Sequence, residues 1–183
     1  MALNATDRMV NLLGALALGV SDRMRRAVAE AVPFGGETAA AVNVIGHAPT
    51  MSIDQLSRVL RLSHAGTVRL VDRLVESGFV EKRPSAVDRR VMCLALTTDG
   101  MHQRHKLLAL RSAALATLFD QVTAEDLAAF ERVAETIAGS LPENALTALT
   151  TCRFCDERHC TDCPMEVFGT LEPAGGPVTG LRS

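Results

Sequence analysis

The chain has no tryptophan and no tyrosine, and its 6 phenylalanines are the only aromatic side chains among 183 residues. Filling the interior therefore falls to Leu, Val, Ala, Ile and Met. That bias, with few alternating β-branched runs, favours helix over sheet. An excess of one charge sign is also missing: 19 Lys and Arg stand against 21 Asp and Glu, a formal net charge of −2. The molecule as a whole makes no case for a polyanionic partner, so a basic patch has to be sought segment by segment. No apolar run is long enough to span a bilayer. MVNLLGALALGV at 9–20 imitates a signal peptide, but Asp7 sits beside Arg8, and SDRMRRAVAEAV continues the pattern with helical periodicity. A cytoplasmic chain without membrane association is expected. There, clustered cysteines point to metal or redox chemistry rather than structural disulfides. A Gly-rich phosphate loop, a Ser–His–Asp set and paired carboxylates are absent, so the chain does not read as an enzyme. Its length suits one domain, or one domain with an appendage.

Helical periodicity dominates what is present. Leu12, Leu13, Leu16, Val20, Met24 and Val28 recur by threes and fours and predict one long helix over 3–31, stopped by Pro33 and Gly35–Gly36. A short helix follows over 37–47. Ser52 is placed to cap the next helix, with Gln55 in the capping-box position. Ser63 is placed to cap LSHAGTVRLVDRLVESGF, and Gly78 to stop it. The period then changes: FVEKRPSAVDRRVMCLALTT reads as two short strands around a loop with Pro84, Ser85 and Asp88. A long helix is expected over 99–121. Another starts at the Thr123 cap and closes at Gly139 and Pro142, and a short one covers 143–151. The tail after Phe168 is rich in Gly and Pro and is expected to be disordered.

Positive charge is concentrated in the middle. Between Arg58 and Arg90 lie Arg58, Arg61, Arg69, Arg73, Lys82, Arg83, Arg89 and Arg90, against Asp72, Glu76, Glu81 and Asp88. That is the electrostatic footprint of a DNA-contacting element inside a slightly acidic chain. A short helix, a three-residue turn and a second helix make a helix-turn-helix. The second helix begins SHAGTVR, whose small residues permit close approach to base edges. Each feature alone fits a solvated face or an ordinary hairpin. In this order they favour DNA binding, with Ser63, His64, Thr67, Arg69 and Arg73 on the helix and Arg83, Arg89 and Arg90 on the hairpin as candidate contacts.

TVRLVDRLVESGFVEKRPSAVDRRVMCLALTTDG at 67–100 resembles the recognition helix and wing of the multiple-antibiotic-resistance regulator (MarR) family. The residues that carry the resemblance are LVDRLVESGFVEKR, Asp88-Arg89-Arg90, and Leu96-Thr97 with Gly100. It holds in helix order over roughly 5–140 and tightly over 55–100. The resemblance implies a mainly α fold with a small β-hairpin: a winged helix-turn-helix with long N- and C-terminal dimerisation helices. It further implies a homodimer on a palindromic double-stranded DNA operator, a repressor released by a small-molecule effector or by thiol oxidation. By resemblance Asp88 orients the wing, Arg90 stabilises it and Arg89 lies nearest DNA. The expected organisation is a dimerisation helix at 1–36, a DNA-binding lobe at 37–98, dimerisation helices at 99–150, a cysteine motif at 151–166 and a disordered tail at 167–183.

Four of the 5 cysteines fall in TCRFCDERHCTDCPME: Cys152, Cys155, Cys160 and Cys163, spaced C-x2-C-x4-C-x2-C. Two C-x2-C pairs can surround one structural zinc ion and close its shell. An iron–sulfur cluster is the next reading, since Cys163-Pro164 matches the C-P ending of bacterial ferredoxin runs although the spacing does not. A metal-free redox thiol pair is the third. If the cluster were the functional centre, the chain would be a redox or electron-transfer metalloprotein. Cys93 reads as a small packing residue or a thiol sensor, His102 and His105 as a solvated pair or metal ligands, and His159 as an exposed loop residue or a substitute ligand. His47 is a weak candidate for a ligand pocket.

Overall fold

The structure, a computed structural model, describes residues 6–29 and 35–175. Its elements run α1 (Asp7–Ala29), α2 (Gly36–His47), α3 (Ile53–Leu60), α4 (His64–Glu76), β1 (Val80–Pro84), β2 (Met92–Leu96), α5 (Thr98–Ala116), α6 (Ala124–Gly139) and α7 (Ala145–Cys152), with 3-10 turns at Thr117–Phe119, Glu157–His159 and Glu166–Phe168. The fold is mainly α with one antiparallel hairpin, as expected. Residues 3–5 and 30–31 of the expected first helix, and Pro33 as its stop, lie outside the described residues, as do 176–183. Among the described residues no helix is long and apolar enough to cross a membrane.

Local chemistry sets the element ends. At the start of α3 the Ser52 hydroxyl accepts from Gln55 N at 3.1 Å, and Gln55 Oε1 accepts from Ser52 N at 2.8 Å, a complete capping box. Ser63 Oγ accepts from Gly66 N at 3.1 Å and caps α4. Helix α4 ends in a Schellman turn. Gly78, at φ 74°, donates to Val75 O at 2.9 Å, and Phe79 N donates to Leu74 O at 3.0 Å. The hairpin pairs Val80 with Leu96 and Pro84 with Met92. A further bond from Leu94 N to Met51 O, 2.9 Å, ties β2 to the chain entering α3. Helix α5 stops earlier than its periodicity predicts. Arg23 of α1 reaches across to its last turn, where Nε donates to Ala114 O at 2.6 Å.

Helix α2 lies at the centre. Its residues from Thr38 to Ile45 are all buried. Around it pack Leu56 and Val59 of α3, Leu70, Val71 and Leu74 of α4, Val80 and Leu94 of the hairpin, and Leu107 of α5. Leu149 of α7 belongs to the same cluster, and Leu146, Phe154 and Leu171 pack against it. The chain after α6 therefore helps to build the core of the DNA-binding lobe. Residues 169–175 depart from the expected disorder. Ala174 is buried, its N donates to Thr50 O at 3.0 Å, and its O accepts from Ser85 Oγ at 2.6 Å. Backbone bonds of this kind need no helical or alternating pattern, so the Gly- and Pro-rich composition carried no sign of them.

Candidate nucleic-acid interface

Helix α3, the turn at 61–63 and α4 form the helix-turn-helix. Within the turn Arg61 takes the left-handed conformation at φ 55°. Leu62 N closes back on Ser57 O at 3.0 Å, which fixes how α4 leaves α3. Helix α4 exposes Ser63, His64, Ala65, Arg69 and Arg73 and buries Leu70, Val71 and Leu74. Thr67 does not join the exposed set. It is 0 % exposed, and its hydroxyl donates to Ser63 O at 3.1 Å. As the fourth residue of a helix whose next inward positions are Leu70, Val71 and Leu74, it lies on the buried stripe, so its side chain faces the lobe.

The wing is held to α4 and to itself. Lys82 Nζ meets Asp72 Oδ1 at 2.7 Å, which links β1 to the recognition helix. Arg83 is ion-paired with Glu81, whose carboxylate raises the arginine's pKa, so its charge is already partly answered within the strand. At the tip, Asp88 Oδ1 accepts from Arg90 N at 2.9 Å and Val91 N donates to Asp88 O at 2.9 Å. Asp88 thereby shapes the turn, in the role the resemblance gave it. Arg89 and Arg90 are exposed and, like Arg69, form no ion pair among the described residues. Cys93 is buried on β2, with its thiol 3.2 Å from Arg83 O, and acts as a packing residue. His102 and His105 are exposed on α5.

The cysteine segment sits against the other side of α2. Asn43, 2 % exposed, donates through Nδ2 to Cys155 O at 2.8 Å and to Arg153 O at 3.2 Å. Its Oδ1 accepts from Arg104 Nε at 3.0 Å, and Arg104, also 2 % exposed, binds the Glu157 carboxylate. Gly46 makes room for this: a Cβ there would stand 2.4 Å from Arg104 Cδ. Burial is the largest single effect on Glu157 and raises its pKa, but the Arg104 hydrogen bond, a backbone hydrogen bond and the Arg104 and His47 charges together outweigh it and hold the carboxyl below its ordinary value. Helical periodicity does not single out Asn43, Arg104 or Glu157. The available signal was a single Asn inside the apolar run TAAAVNVIG.

All five cysteines are free. The four clustered thiols form two hydrogen-bonded pairs, Cys152 with Cys155 and Cys160 with Cys163. The bond from Cys152 pulls Cys155 down to about 7 against the effect of burial, with help from the Arg111 charge, and pushes Cys152 up. Burial, then the bond to Cys163, pushes Cys160 up to about 11. Among the described residues no three His, Cys, Asp or Glu side chains converge on one point as a formed metal site does. Cys152, Cys160 and Cys163 do line one cavity of about 450 Å³, together with His47, Met51, Leu149 and Leu171.

Comparison with known proteins agrees with this geometry. Residues 35–91 match the family model described as MarR family. The HTH-type transcriptional regulator YsmB of Bacillus subtilis, itself uncharacterised, is 30 % identical over 82 residues, which is 45 % of this chain and 56 % of that protein. The chain spans about half the length of the curated relatives it matches. Apo MarR of Escherichia coli superposes with a TM-score of 0.58 at 25 % identity, covering 68 % of this chain and 96 % of that one. A MarR family protein of Bacillus stearothermophilus superposes with a TM-score of 0.66 at 21 % identity, covering 76 % of this chain and 100 % of that one. Residues 35–91 thus carry a MarR-family domain match, and the fold is the one shared by MarR-family winged-helix structures.

Proposed function

We propose that the chain is a homodimeric, sequence-specific DNA-binding transcriptional regulator, a repressor acting on a palindromic operator in the cytoplasm. One observation carries the reading. A capped helix start that exposes Ser63, His64, Ala65 and Arg69 is tied through the Lys82–Asp72 pair to the strand of a wing whose tip exposes Arg89 and Arg90. In this reading the start of α4 enters the major groove, where Ser63, His64 and Arg69 meet base edges and phosphates. Arg89 and Arg90 reach the backbone or the adjacent minor groove.

Dimerisation is supported by the apolar surface that the chain leaves open. Helix α6 buries none of its residues, and Phe130, Val133 and Ile137 are exposed along it. Helix α1 exposes Leu12, Leu13 and Leu16. These side chains are about half covered already, so hiding the rest of each is worth about 1 kcal/mol, and a second copy supplies the cover.

The test uses duplex DNA from upstream of the chain's own gene and fluorescence anisotropy. Arg89→Ala with Arg90→Ala is expected to weaken binding by about tenfold or more while leaving the dimer mass unchanged in light scattering. Affinity equal to that of the unaltered protein would contradict the wing's role.

A further inference from the structure

The segment from 152 to 175 is fastened to the DNA-binding lobe at both ends. At the near end, buried Asn43 and Arg104 hold the backbone of Arg153 and Cys155 and the side chain of Glu157. At the far end, Gln55 Nε2 donates to Glu172 O at 2.8 Å and Ala174 bonds both Thr50 and Ser85. Gln55 belongs to the α3 cap, and Ser85 opens the tip loop of the wing, its N donating to Val91 O at 2.8 Å. Between these anchors lie the two thiol pairs. Each occupies a tight turn: Cys155 N donates to Cys152 O at 2.7 Å, and Glu166 N donates to Cys163 O at 3.0 Å. Cys152, Cys160 and Cys163 face one cavity, and Cys155 touches Cys152.

A cation stands ready beside them. Arg104 and Arg111 are seven residues apart, so they share a face of α5. Arg104 is matched by Glu157. The charge of Arg111 acts on Cys155, and its buried Nε has no hydrogen-bond partner among the described residues. A buried guanidinium N–H without an acceptor is costly, and a thiolate is an acceptor.

We propose that Cys152, Cys155, Cys160 and Cys163 bind one zinc ion and that the ion locks the segment 152–175 as a strap across the DNA-binding lobe, from α2 to the start of the wing's tip loop. The two C-x2-C turns supply two ligands each and close across the cavity to complete a tetrahedral shell. Four S–H bonds are exchanged for four Zn–S bonds, four protons pass to solvent, and no electron moves. The closed site carries a charge of −2, which Arg111 and Arg153 offset.

The full chain, purified without air or chelator, is assayed by plasma mass spectrometry. One zinc per chain is expected, and none in Cys160→Ser with Cys163→Ser. Protein without zinc that takes up none from zinc sulfate, protein holding iron and sulfide, or a serine variant that keeps its zinc would each overturn the site. A measurement on the unaltered chain stands beside the variants: cobalt(II) added in place of zinc should give the visible bands of a tetrahedral thiolate complex, and octahedral, nearly colourless cobalt would overturn it. Chelation should speed proteolysis within 152–175 at least tenfold while 35–100 stays protected. An unchanged cleavage rate would overturn the locking role. These readouts do not involve DNA, so they stand or fall apart from the operator-binding reading.

Discussion

Arg104 is the residue where the DNA-binding lobe and the chain that follows α6 meet. Its guanidinium satisfies Asn43 Oδ1 and the Glu157 carboxylate, and Asn43 in turn satisfies two carbonyls of the cysteine turn. Arg104→Ala removes the centre of that network and leaves Asn43 with an unpaired acceptor in the core. A loss of about 1–3 kcal/mol in urea unfolding is expected, and Arg104→Lys should not restore it, because one ammonium cannot span both partners as the planar fork does. An unchanged midpoint for Arg104→Ala would mean that the network adds nothing. Little of this was legible beforehand. Arg104 sits in the polar stretch HQRHK, which reads as a solvated face, and only the tertiary fold places a buried Asn opposite it. Thr67 gives the converse case. It looked like a base-contacting hydroxyl because it belongs to SHAGTVR, yet the helical stripe turns it inward.

Elements whose limits rest on local chemistry were readable from the sequence. The Ser52–Gln55 box, the Ser63 cap, the Gly78 stop and the change of period into the hairpin are each written within a few residues and each appears in the structure. Elements decided at long range were not. Arg23 of α1 bonds a carbonyl in the last turn of α5, and residues 169–175 are seated on Thr50 and Ser85. Helix α6 poses the sharpest question at this scale. It has sixteen residues, a Thr123 cap and exposed Phe130, Val133 and Ile137, and it buries nothing in its own chain. A helix with an apolar face and no cover is expected to find its cover in a second copy. Val133→Asp with Ile137→Asp should convert the dimer to a monomer in sedimentation velocity while circular dichroism retains the helical lobe. A dimer that survives both charges would remove α6 from the interface.

At the scale of the whole molecule, a formal charge of −2 concealed a basic segment from Arg58 to Arg90, which the fold carries into the exposed side of α4 and the tip of the wing. The cysteine segment lies on the same lobe, fastened to α2 and to the start of the wing's tip loop. The account's central claim is that two such lobes read DNA together. Hydroxyl-radical footprinting of the full chain on DNA from upstream of its own gene tests it most directly. The account predicts two protected segments centred about 10 base pairs apart, or a multiple of that spacing, with protection lost in the Arg89→Ala, Arg90→Ala protein. A single protected segment, or a footprint unchanged in that variant, would contradict it.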